Sequence, residues 1–279
     1  MTVPSIELAG GVRIPQLGFG TYKIAPSDAE GAVSTALELG YRHIDTAAMY
    51  GNEAGVGRAL AASGLARDEL FVTTKLDNPY HAPDAARAAF ERSLEALGLE
   101  SVDLYLIHWP LARSTDYVRT WATLVELAAS GRARAIGVSN FTAAHLRAIV
   151  DATGVVPAVN QIEVNPYLTQ EPLRALHDEL GIVTEAWSPL ARGRVLVDPV
   201  VTGLAAELGP TASQIVLRWH LQRGDVVFPK STHRDRMAEN LDVFGFELDD
   251  AAMAAISALN RDERSGSDPE VVELDGGRR

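Results

Sequence analysis

The chain of 279 residues contains no cysteine, which excludes disulfides, a thiolate metal site and a cysteine nucleophile. It also lacks any run approaching the roughly 18 consecutive apolar residues that span a membrane. Its first residues show no basic segment followed by an apolar core, so we expect no signal peptide. No linker-like stretch divides the chain. We therefore expect one cytoplasmic domain covering residues 1–279.

Positive charge is scarce as well. The 25 lysine and arginine residues face 37 acidic residues, which gives a net charge of −12. This balance argues against nucleic-acid binding, because phosphate recognition needs clustered positive charge. Lysine is scarcest of all, with only Lys23, Lys75 and Lys230. A lysine can stand where a compact charge or an available proton is needed, although three lysines by themselves are also compatible with chance.

Short apolar runs alternate with segments of helical periodicity along the whole chain. The predicted strands are 17–20, 42–46, 70–75, 102–108, 133–139, 158–163, 181–187 and 226–229. Helical segments such as 29–39, 83–97 and 142–152 separate them, and an extra helix is expected around 198–207. Eight strands alternating with helices over about 250 residues predict an α/β fold of the (β/α)8 TIM-barrel type.

Two further patterns refine this prediction. Segment 5–14 has Gly10 and Gly11 at its centre, which predicts an N-terminal β-hairpin. A doubly wound open sheet would show the same alternation of strands and helices. Neither glycine pair, at 18 and 20 or at 55 and 57, continues into GxGxxG, so the usual dinucleotide-binding fingerprint of that fold is missing.

Polar and aromatic residues stand at the ends of successive predicted strands, where barrels carry their reactive groups. They are Asp45 with Tyr50 beyond it, Lys75, His108, Ser139 with Asn140, Gln161, Trp187 with Ser188, and Lys230 with Ser231. Each alone has an ordinary structural explanation as a helix cap, a surface charge or a buried core side chain. Their shared position predicts a site.

Asp45, Tyr50, Lys75 and His108 together indicate proton chemistry at a carbonyl group. A phenol titrates near 10, and a lysine about 4 Å away would lower that pKa by about three units at most. The aspartate would hold the lysine, and a neutral histidine would orient a carbonyl oxygen. None of these side chains supplies electrons, so a cofactor has to bring them.

Two other chemistries are weaker interpretations. A metal site could draw on His43, Asp45 and His108, but no HxH or HExxH motif is present and Lys75 would repel a cation. We therefore expect no metal. Nucleophilic hydrolysis lacks the GxSxG elbow.

Five ordered motifs resemble the aldo-keto reductase family. They are LGFGT at 17–21, HIDTAAMYGNE at 43–53, LYLIHWP at 104–110, IGVSNF at 136–141, and PKS at 229–231 followed by Arg236, Glu239 and Asn240. The likeness runs from about residue 5 to residue 260. The run QIEVNPY at 161–167 is similar to the compact microbial branch related to 2,5-diketogluconate reductases.

The resemblance implies a catalytic tetrad of Asp45, Tyr50, Lys75 and His108, with Tyr50 as the general acid. It also implies that NADPH lies extended across the barrel mouth, which makes a Rossmann motif unnecessary. The cofactor residues would be Ser139, Asn140 and Gln161 at the carboxamide, Trp187 stacked on the nicotinamide, Ser188 and Leu190 at the pyrophosphate, Lys230, Ser231, Thr232 and Arg236 at the 2′-phosphate, and Glu239 and Asn240 at the adenine.

The implied reaction is reversible reduction of aldehydes, ketones or α-dicarbonyls by a monomer that takes a small-molecule substrate. Tyr22, Met49, His108 and Trp109 would line the substrate pocket. Asp77 stands where relatives often carry a tryptophan, and the tail 261–279 would fold over the mouth. One alternative from another class stays open, namely an NADPH-binding barrel that serves a non-catalytic, regulatory role. A metal-dependent barrel hydrolase is a poorer option.

Overall fold

The computed structural model describes residues 3–273. Residues 1–2 and the last six residues of the expected tail, 274–279, lie outside the described residues. The strands are β1 (Ser5–Glu7), β2 (Arg13–Pro15), β3 (Phe19–Gly20), β4 (His43–Asp45), β5 (Phe71–Leu76), β6 (Val102–Ile107), β7 (Ala133–Ser139), β8 (Val159–Glu163), β9 (Val183–Trp187) and β10 (Val226–Val227). The helices are α1 (Ala29–Leu39), α2 (Glu53–Ala62), α3 (Pro83–Leu97), α4 (Tyr117–Ala129), α5 (Ala143–Thr153), α6 (Glu171–Leu180), α7 (Pro199–Leu208), α8 (Ala212–Gln222), α9 (Arg234–Leu241) and α10 (Asp250–Ser257).

Strands β3 to β10 form one parallel sheet in the order in which they occur along the chain. The two outer strands of this sheet also meet. Leu17 forms a parallel bridge with Val227, the N–H of Gly18 donates to the carbonyl of Val227 over 2.8 Å, and the N–H of Val227 donates to the carbonyl of Gln16 over 2.9 Å. The sheet therefore closes on itself, and the predicted (β/α)8 barrel is confirmed.

The predicted hairpin is present and covers one end of the barrel. Strands β1 and β2 pair antiparallel with Ile6 opposite Ile14, and Gly10 and Gly11 take positive φ angles in the turn between them. Leu8 and Ile14 are buried in a cluster that includes Phe71, the first residue of β5. The hairpin thus packs against the start of the strands and leaves their carboxyl ends free.

The predicted element boundaries agree best for the helices. The helices predicted at 29–39 and 83–97 are observed over the same residues, and the one predicted at 142–152 begins one residue later. The last strand is shorter than predicted, since only Val226 and Val227 pair with β9. Pro229, which has no N–H to donate to a ladder, lies just beyond it.

The extra helix expected between the last two barrel strands is α7. It begins after Asp198, whose side chain accepts a hydrogen bond from the N–H of Val200, and Pro199 occupies its first position. Within residues 3–273 no single helix is long and apolar enough to cross a membrane; α7 and α8 meet that criterion only as a pair, by length and composition, and are bent by 95°.

Two helical glycines differ in the space around them. A Cβ at Gly57 in α2 would lie 2.5 Å from the carbonyl oxygen of Leu97, at the end of α3, whereas a Cβ at Gly31 in α1 would meet nothing within 4 Å. We expect Gly57→Ala to lower the free energy of unfolding by about 1–3 kcal/mol through overpacking. Gly31→Ala should raise it by about 0.5–1 kcal/mol because alanine restricts the unfolded chain. Urea denaturation of both variants tests this, and equal stabilities would contradict the packing of α2 on α3.

Candidate active site

Three neighbouring strands bring the predicted tetrad to one end of the barrel. Asp45 is the last residue of β4, Lys75 lies one residue from the end of β5, and His108 follows β6 directly. Tyr50 ends a short 3₁₀ helix, Ala48–Tyr50, just beyond β4. Because β4, β5 and β6 are hydrogen-bonded neighbours, residues far apart in sequence converge at the carboxyl ends of the strands.

A buried ion pair stands at the centre of this group. Lys75 is 0% exposed, and its Nζ donates to Asp45 Oδ1 over 2.7 Å and to Asp45 Oδ2 over 2.8 Å. A further bond of 2.9 Å runs to the carbonyl of Thr46. Burial is the largest single influence and lowers the pKa of Lys75, but the charge and hydrogen bond of Asp45, together with Tyr50 and Glu185, outweigh it and raise the pKa above its ordinary value. Lys75 is therefore a fixed cation.

The pKa of the Tyr50 phenol is higher than the sequence predicts. Lys75 Nζ lies 3.5 Å from Tyr50 Oη and lowers the pKa of the phenol as expected. Burial acts more strongly, and with the opposing charge of Asp45 it raises the pKa of Tyr50 to about 12. The expectation that the cation would bring this pKa below 10 is wrong for the protein without ligand, because a buried phenolate loses its hydration.

His108 stands beside the phenol as a neutral side chain. The rings of His108 and Tyr50 have centroids 5.6 Å apart. Burial and the charge of Lys75 hold the pKa of His108 well below its ordinary value. Nδ1 is buried without a hydrogen-bond partner in the described part of the chain, so Nε2 is the nitrogen that can donate to a ligand.

A second set of polar side chains extends from the tetrad across the barrel. Gln161 Nε2 donates to Asp45 Oδ2 over 2.8 Å and to Glu185 Oε2 over 2.9 Å. Ser139 Oγ donates to the carbonyl of Gln161 over 2.9 Å. Asn140, which has a positive φ of 63°, donates through Nδ2 to the carbonyl of His108 over 2.9 Å. Ser139, Asn140 and Gln161, three of the predicted cofactor residues, thus form one hydrogen-bonded network with the tetrad.

Trp187 lies between this network and the chain's tail. Its Nε1 donates to Asn140 Oδ1 over 2.8 Å. A Cβ at Gly266 would lie 2.8 Å from Cζ3 of Trp187 and closer still to Cη2, so the tail runs against the indole where any larger residue would collide. Ser188, the next residue, has its Oγ 3.4 Å from Ser265 Oγ.

Glu163, the last residue of β8, holds the same part of the tail. Its carboxylate accepts hydrogen bonds from the N–H of Ser265 over 2.6 Å, from Ser265 Oγ, and from the N–H of Gly266 over 3.0 Å. A cavity of about 400 Å³ lies next to this contact, with Asn140, Glu163 and Arg264 among its lining residues. At Ser265 and Gly266 the tail therefore lies against residues at the carboxyl ends of β8 and β9, as expected for a tail that covers the mouth.

The predicted phosphate-binding residues lie at the other side of the mouth, around the start of α9. Lys230, Thr232 and Arg236 are exposed, and Ser231 is buried. Within residues 3–273 neither Lys230 nor Arg236 forms an ion pair, although Arg234 on the same helix pairs with Glu38 over 2.8 Å. The two predicted phosphate cations are therefore open to an external anion.

The predicted adenine residues have partners within the protein. Glu239 Oε1 accepts from Thr211 Oγ1 over 2.7 Å, and Asn240 Oδ1 accepts from Ser213 Oγ over 2.8 Å. Both contacts join α9 to the start of α8. Leu190, predicted at the pyrophosphate, directly precedes the 3₁₀ helix Ala191–Val197.

Of the predicted substrate walls, Tyr22 and His108 lie against the phenol. The Tyr22 ring lies 5.2 Å from the Tyr50 ring and is 52% exposed. Met49 directly precedes Tyr50, and Trp109 follows His108. Asp77, where the resemblance leads us to expect a tryptophan, accepts a hydrogen bond from the N–H of Asn78 over 2.8 Å and precedes a 3₁₀ helix.

Two buried carboxyl groups of the site, Glu163 and Glu185, were not foreseen. Glu163 stands two residues after Gln161 on β8, and Glu185 stands two residues before Trp187 on β9. Side chains two apart on a strand point the same way, so this spacing was a usable signal. Within the described ranges, no group of three or more histidine and acidic side chains is arranged to hold a metal ion.

The chain as a whole is similar to known proteins. A model of the aldo/keto reductase family matches residues 16–261. An aldo-keto reductase of Mycobacterium sp. (strain KMS) is 50% identical over 276 residues, which is 99% of this chain and 100% of that protein. A Gox0644 mutant in complex with NADPH is 45% identical with a TM-score of 0.95, over 98% of this chain and 100% of that one. A Bombyx mori aldo-keto reductase in complex with NADP is 40% identical with a TM-score of 0.90, over 96% of each chain.

The buried ion pair leads to a stability prediction. Asp45→Asn leaves the Lys75 cation without its counter-ion, which should cost about 3–5 kcal/mol in the free energy of unfolding. Lys75→Met should cost a similar amount because it leaves the Asp45 carboxyl unpaired. The double variant loses both charges together, so its loss should be well below the sum of the two single losses. Urea denaturation of the three variants measures the coupling, and additive losses would contradict it.

Proposed function

Because the chain belongs to the aldo-keto reductase family, we propose that it is an NADP-dependent oxidoreductase that reduces small aldehydes, ketones or α-dicarbonyls to alcohols. The observation that carries the proposal is the buried Lys75 cation, fixed by Asp45 and 3.5 Å from the Tyr50 phenol. That arrangement suits a group that must hold a proton until an oxygen atom nearby becomes negative, and then release it.

The residues present fit NADP(H). Nδ2 and Oδ1 of Asn140 and both N–H groups of Gln161 have protein partners, but Gln161 Oε1 accepts no hydrogen bond within residues 3–273. It is a free acceptor for the carboxamide of the nicotinamide. The unpaired Lys230 and Arg236 suit the 2′-phosphate.

The remaining contacts are carried over from the family resemblance. Ser139 and Asn140 would help to hold the carboxamide, Trp187 would stack on the ring, Ser188 and Leu190 would border the pyrophosphate, Ser231 and Thr232 would join the two cations at the 2′-phosphate, and Glu239 and Asn240 would meet the adenine. When bound, NADPH supplies the hydride that reduces the carbonyl carbon.

Tyr50 supplies the proton that balances the reduction. As the carbonyl carbon gains the hydride, its oxygen takes the proton from Tyr50 Oη, and the product is an alcohol. With a pKa of about 12, Tyr50 stays protonated across neutral pH, so the acid is present where the reaction takes place. Lys75 stabilises the phenolate that proton transfer leaves behind, and Asp45 holds Lys75 in place for that purpose.

His108 orients the carbonyl rather than protonating it. Its low pKa means that almost no imidazolium exists at neutral pH, so it is a poor source of the proton. A neutral imidazole with its proton on Nε2 donates a hydrogen bond to the carbonyl oxygen. That bond holds the oxygen next to Tyr50 Oη.

Tyr50→Phe should lower the rate of carbonyl reduction by about 10²–10⁴-fold, the usual contribution of general acid catalysis. NADPH affinity should change little, since the phenol holds a proton and not the cofactor. The measurement is NADPH oxidation with an aromatic aldehyde or an α-dicarbonyl, with and without a chelator. Tyr105→Phe is the matched control, because its Oη is buried without a partner in the described structure. Near-normal turnover in Tyr50→Phe would refute the assignment.

Arg236→Ala and Lys230→Gly should each weaken NADPH binding by about 10- to 150-fold. A charge-assisted hydrogen bond contributes roughly 1.5–3 kcal/mol, and 1.4 kcal/mol corresponds to about one decade in affinity. NADH, which lacks the 2′-phosphate, should bind almost as before. Fluorescence titration with both cofactors makes the comparison, and Arg234→Ala is the matched control because Arg234 already pairs with Glu38. Equal losses for NADPH and NADH would show that these cations do not contact the 2′-phosphate.

A further inference from the structure

Glu185 is a buried carboxyl that the proposed proton transfer does not use. It lies in the middle of β9 and is 0% exposed. Oε2 accepts a hydrogen bond from Gln161 Nε2 over 2.9 Å, and Oε1 is buried with no hydrogen-bond partner within the described chain. Burying a carboxyl group costs free energy. An apolar residue at this position would avoid that cost, so we expect the carboxyl of Glu185 to have a function of its own.

The amide of Gln161 is oriented by two carboxyl groups. Its Nε2 carries two N–H groups, and these are directed to Asp45 Oδ2 over 2.8 Å and to Glu185 Oε2 over 2.9 Å. Both donors are therefore occupied. The ionised Asp45 cannot donate in return, so the amide nitrogen must face it, and Glu185 Oε2 then accepts the second N–H. The only polar atom that Gln161 can offer to a ligand is its Oε1.

The charges that act on Glu185 come from β4 and β5, which are not adjacent to β9 in the sheet. Asp45 on β4 carries a negative charge and Lys75 on β5 a positive one, with the Tyr50 phenol beyond Lys75. β8 contributes the neutral Gln161, and β10 places Val226 opposite Glu185. Burial and the charge of Asp45 raise the pKa of Glu185 to about 8, although Gln161 and Lys75 lower it. Glu185 is thus mainly neutral at pH 7 and becomes charged as the pH rises through 8.

We propose that Glu185 is a positioning residue of the nicotinamide site that acts through Gln161. It keeps Gln161 Oε1 turned outward as an acceptor for the carboxamide, and it places an ionisable group one side chain away from the nicotinamide. The inference rests on the proposed function, since it takes Gln161 as a carboxamide contact. It assigns Glu185 no contact with the substrate or the reacting atoms.

This position has a consequence for the two redox forms of the cofactor. The oxidised nicotinamide ring carries a positive charge and the reduced ring is neutral. An ionised Glu185 attracts the oxidised ring and has little effect on the reduced one. Raising the pH through the pKa of Glu185 should therefore strengthen NADP⁺ binding relative to NADPH binding, and by linkage bound NADP⁺ should favour the ionised carboxyl.

The first experiment measures the affinities of NADPH and NADP⁺ by fluorescence titration at about pH 6.5 and about pH 9.5, on either side of the Glu185 pKa. In the wild type, the ratio of NADP⁺ affinity to NADPH affinity should rise by about 3- to 30-fold between the two values. In Glu185→Gln the ratio should stay constant, because the amide accepts from Gln161 but cannot ionise. Both cofactors carry the 2′-phosphate, so its contribution to affinity cancels in the ratio.

A second variant tests the orientation of Gln161. Glu185→Leu leaves one N–H of Gln161 without an acceptor, so NADPH affinity at about pH 6.5 should fall by about 2- to 13-fold, the effect of about one net hydrogen bond. Glu185→Gln should retain wild-type affinity at that pH. If Glu185→Leu does not fold, which circular dichroism shows, the pH dependence of the glutamine variant alone decides.

Glu53→Gln is the matched control. Glu53 is also a buried carboxyl with a raised pKa, but its oxygens accept from Thr74 and Ser93 and do not contact Gln161. This variant should keep the pH-dependent ratio. A pH-dependent ratio that persists in Glu185→Gln, or that disappears in Glu53→Gln, would overturn the role of Glu185. If the wild type bound neither cofactor, the proposed function itself would fail.

A readout without cofactor completes the test. Difference infrared spectroscopy of the protein alone should show the C=O stretch of a protonated carboxylic acid that disappears near pH 8 in the wild type and is missing in Glu185→Gln. Absence of that band from the wild type would show that Glu185 is already ionised, and the proposed change in charge would then be wrong.

Discussion

The bidentate contact between Lys75 and Asp45 fixes a positive charge inside a barrel from which water is excluded. Removing two charges from water is costly, and their attraction compensates only when the geometry is good and the remaining donors are satisfied. Lys75 Nζ meets this condition through both oxygens of Asp45 and the carbonyl of Thr46. Burial and this pair together set the charge states of Tyr50, His108 and Glu185.

Tyr50, His108 and Gln161 each respond to the pair in a different way. Lys75 lowers the pKa of the phenol and of the imidazole alike, so it opposes burial in Tyr50 and reinforces burial in His108. One group therefore stays a neutral acid while the other stays a neutral hydrogen-bond donor. Asp45 also accepts from Gln161, so a single carboxylate positions both Lys75, which we propose assists proton transfer, and Gln161, which we propose contacts the cofactor.

The rest of the site is built differently. At the proposed phosphate site, Lys230 and Arg236 are exposed and unpaired within the described structure, which suits groups that must meet a ligand from solvent. At the proposed nicotinamide site, the tail is bound to Glu163 and lies on Trp187. The barrel core thus buries Asp45, Lys75 and His108, whereas the proposed phosphate cations lie at the surface, where rearrangement disturbs fewer contacts.

The amino-acid sequence alone determined the alternation of strands and helices, the hairpin, several helix boundaries and the strand-end positions of the four residues proposed as the tetrad. These depend on local periodicity and on which residue types end the strands. Tertiary structure decided how the side chains act on one another. Asp45 and Gln161 are 116 residues apart and meet only because the barrel closes. The depth of burial, which outweighs the Lys75 charge in setting the pKa of Tyr50, depends on the closed barrel, and the bond between Gln161 and Glu185 depends on the register of β8 against β9. No local pattern encodes either.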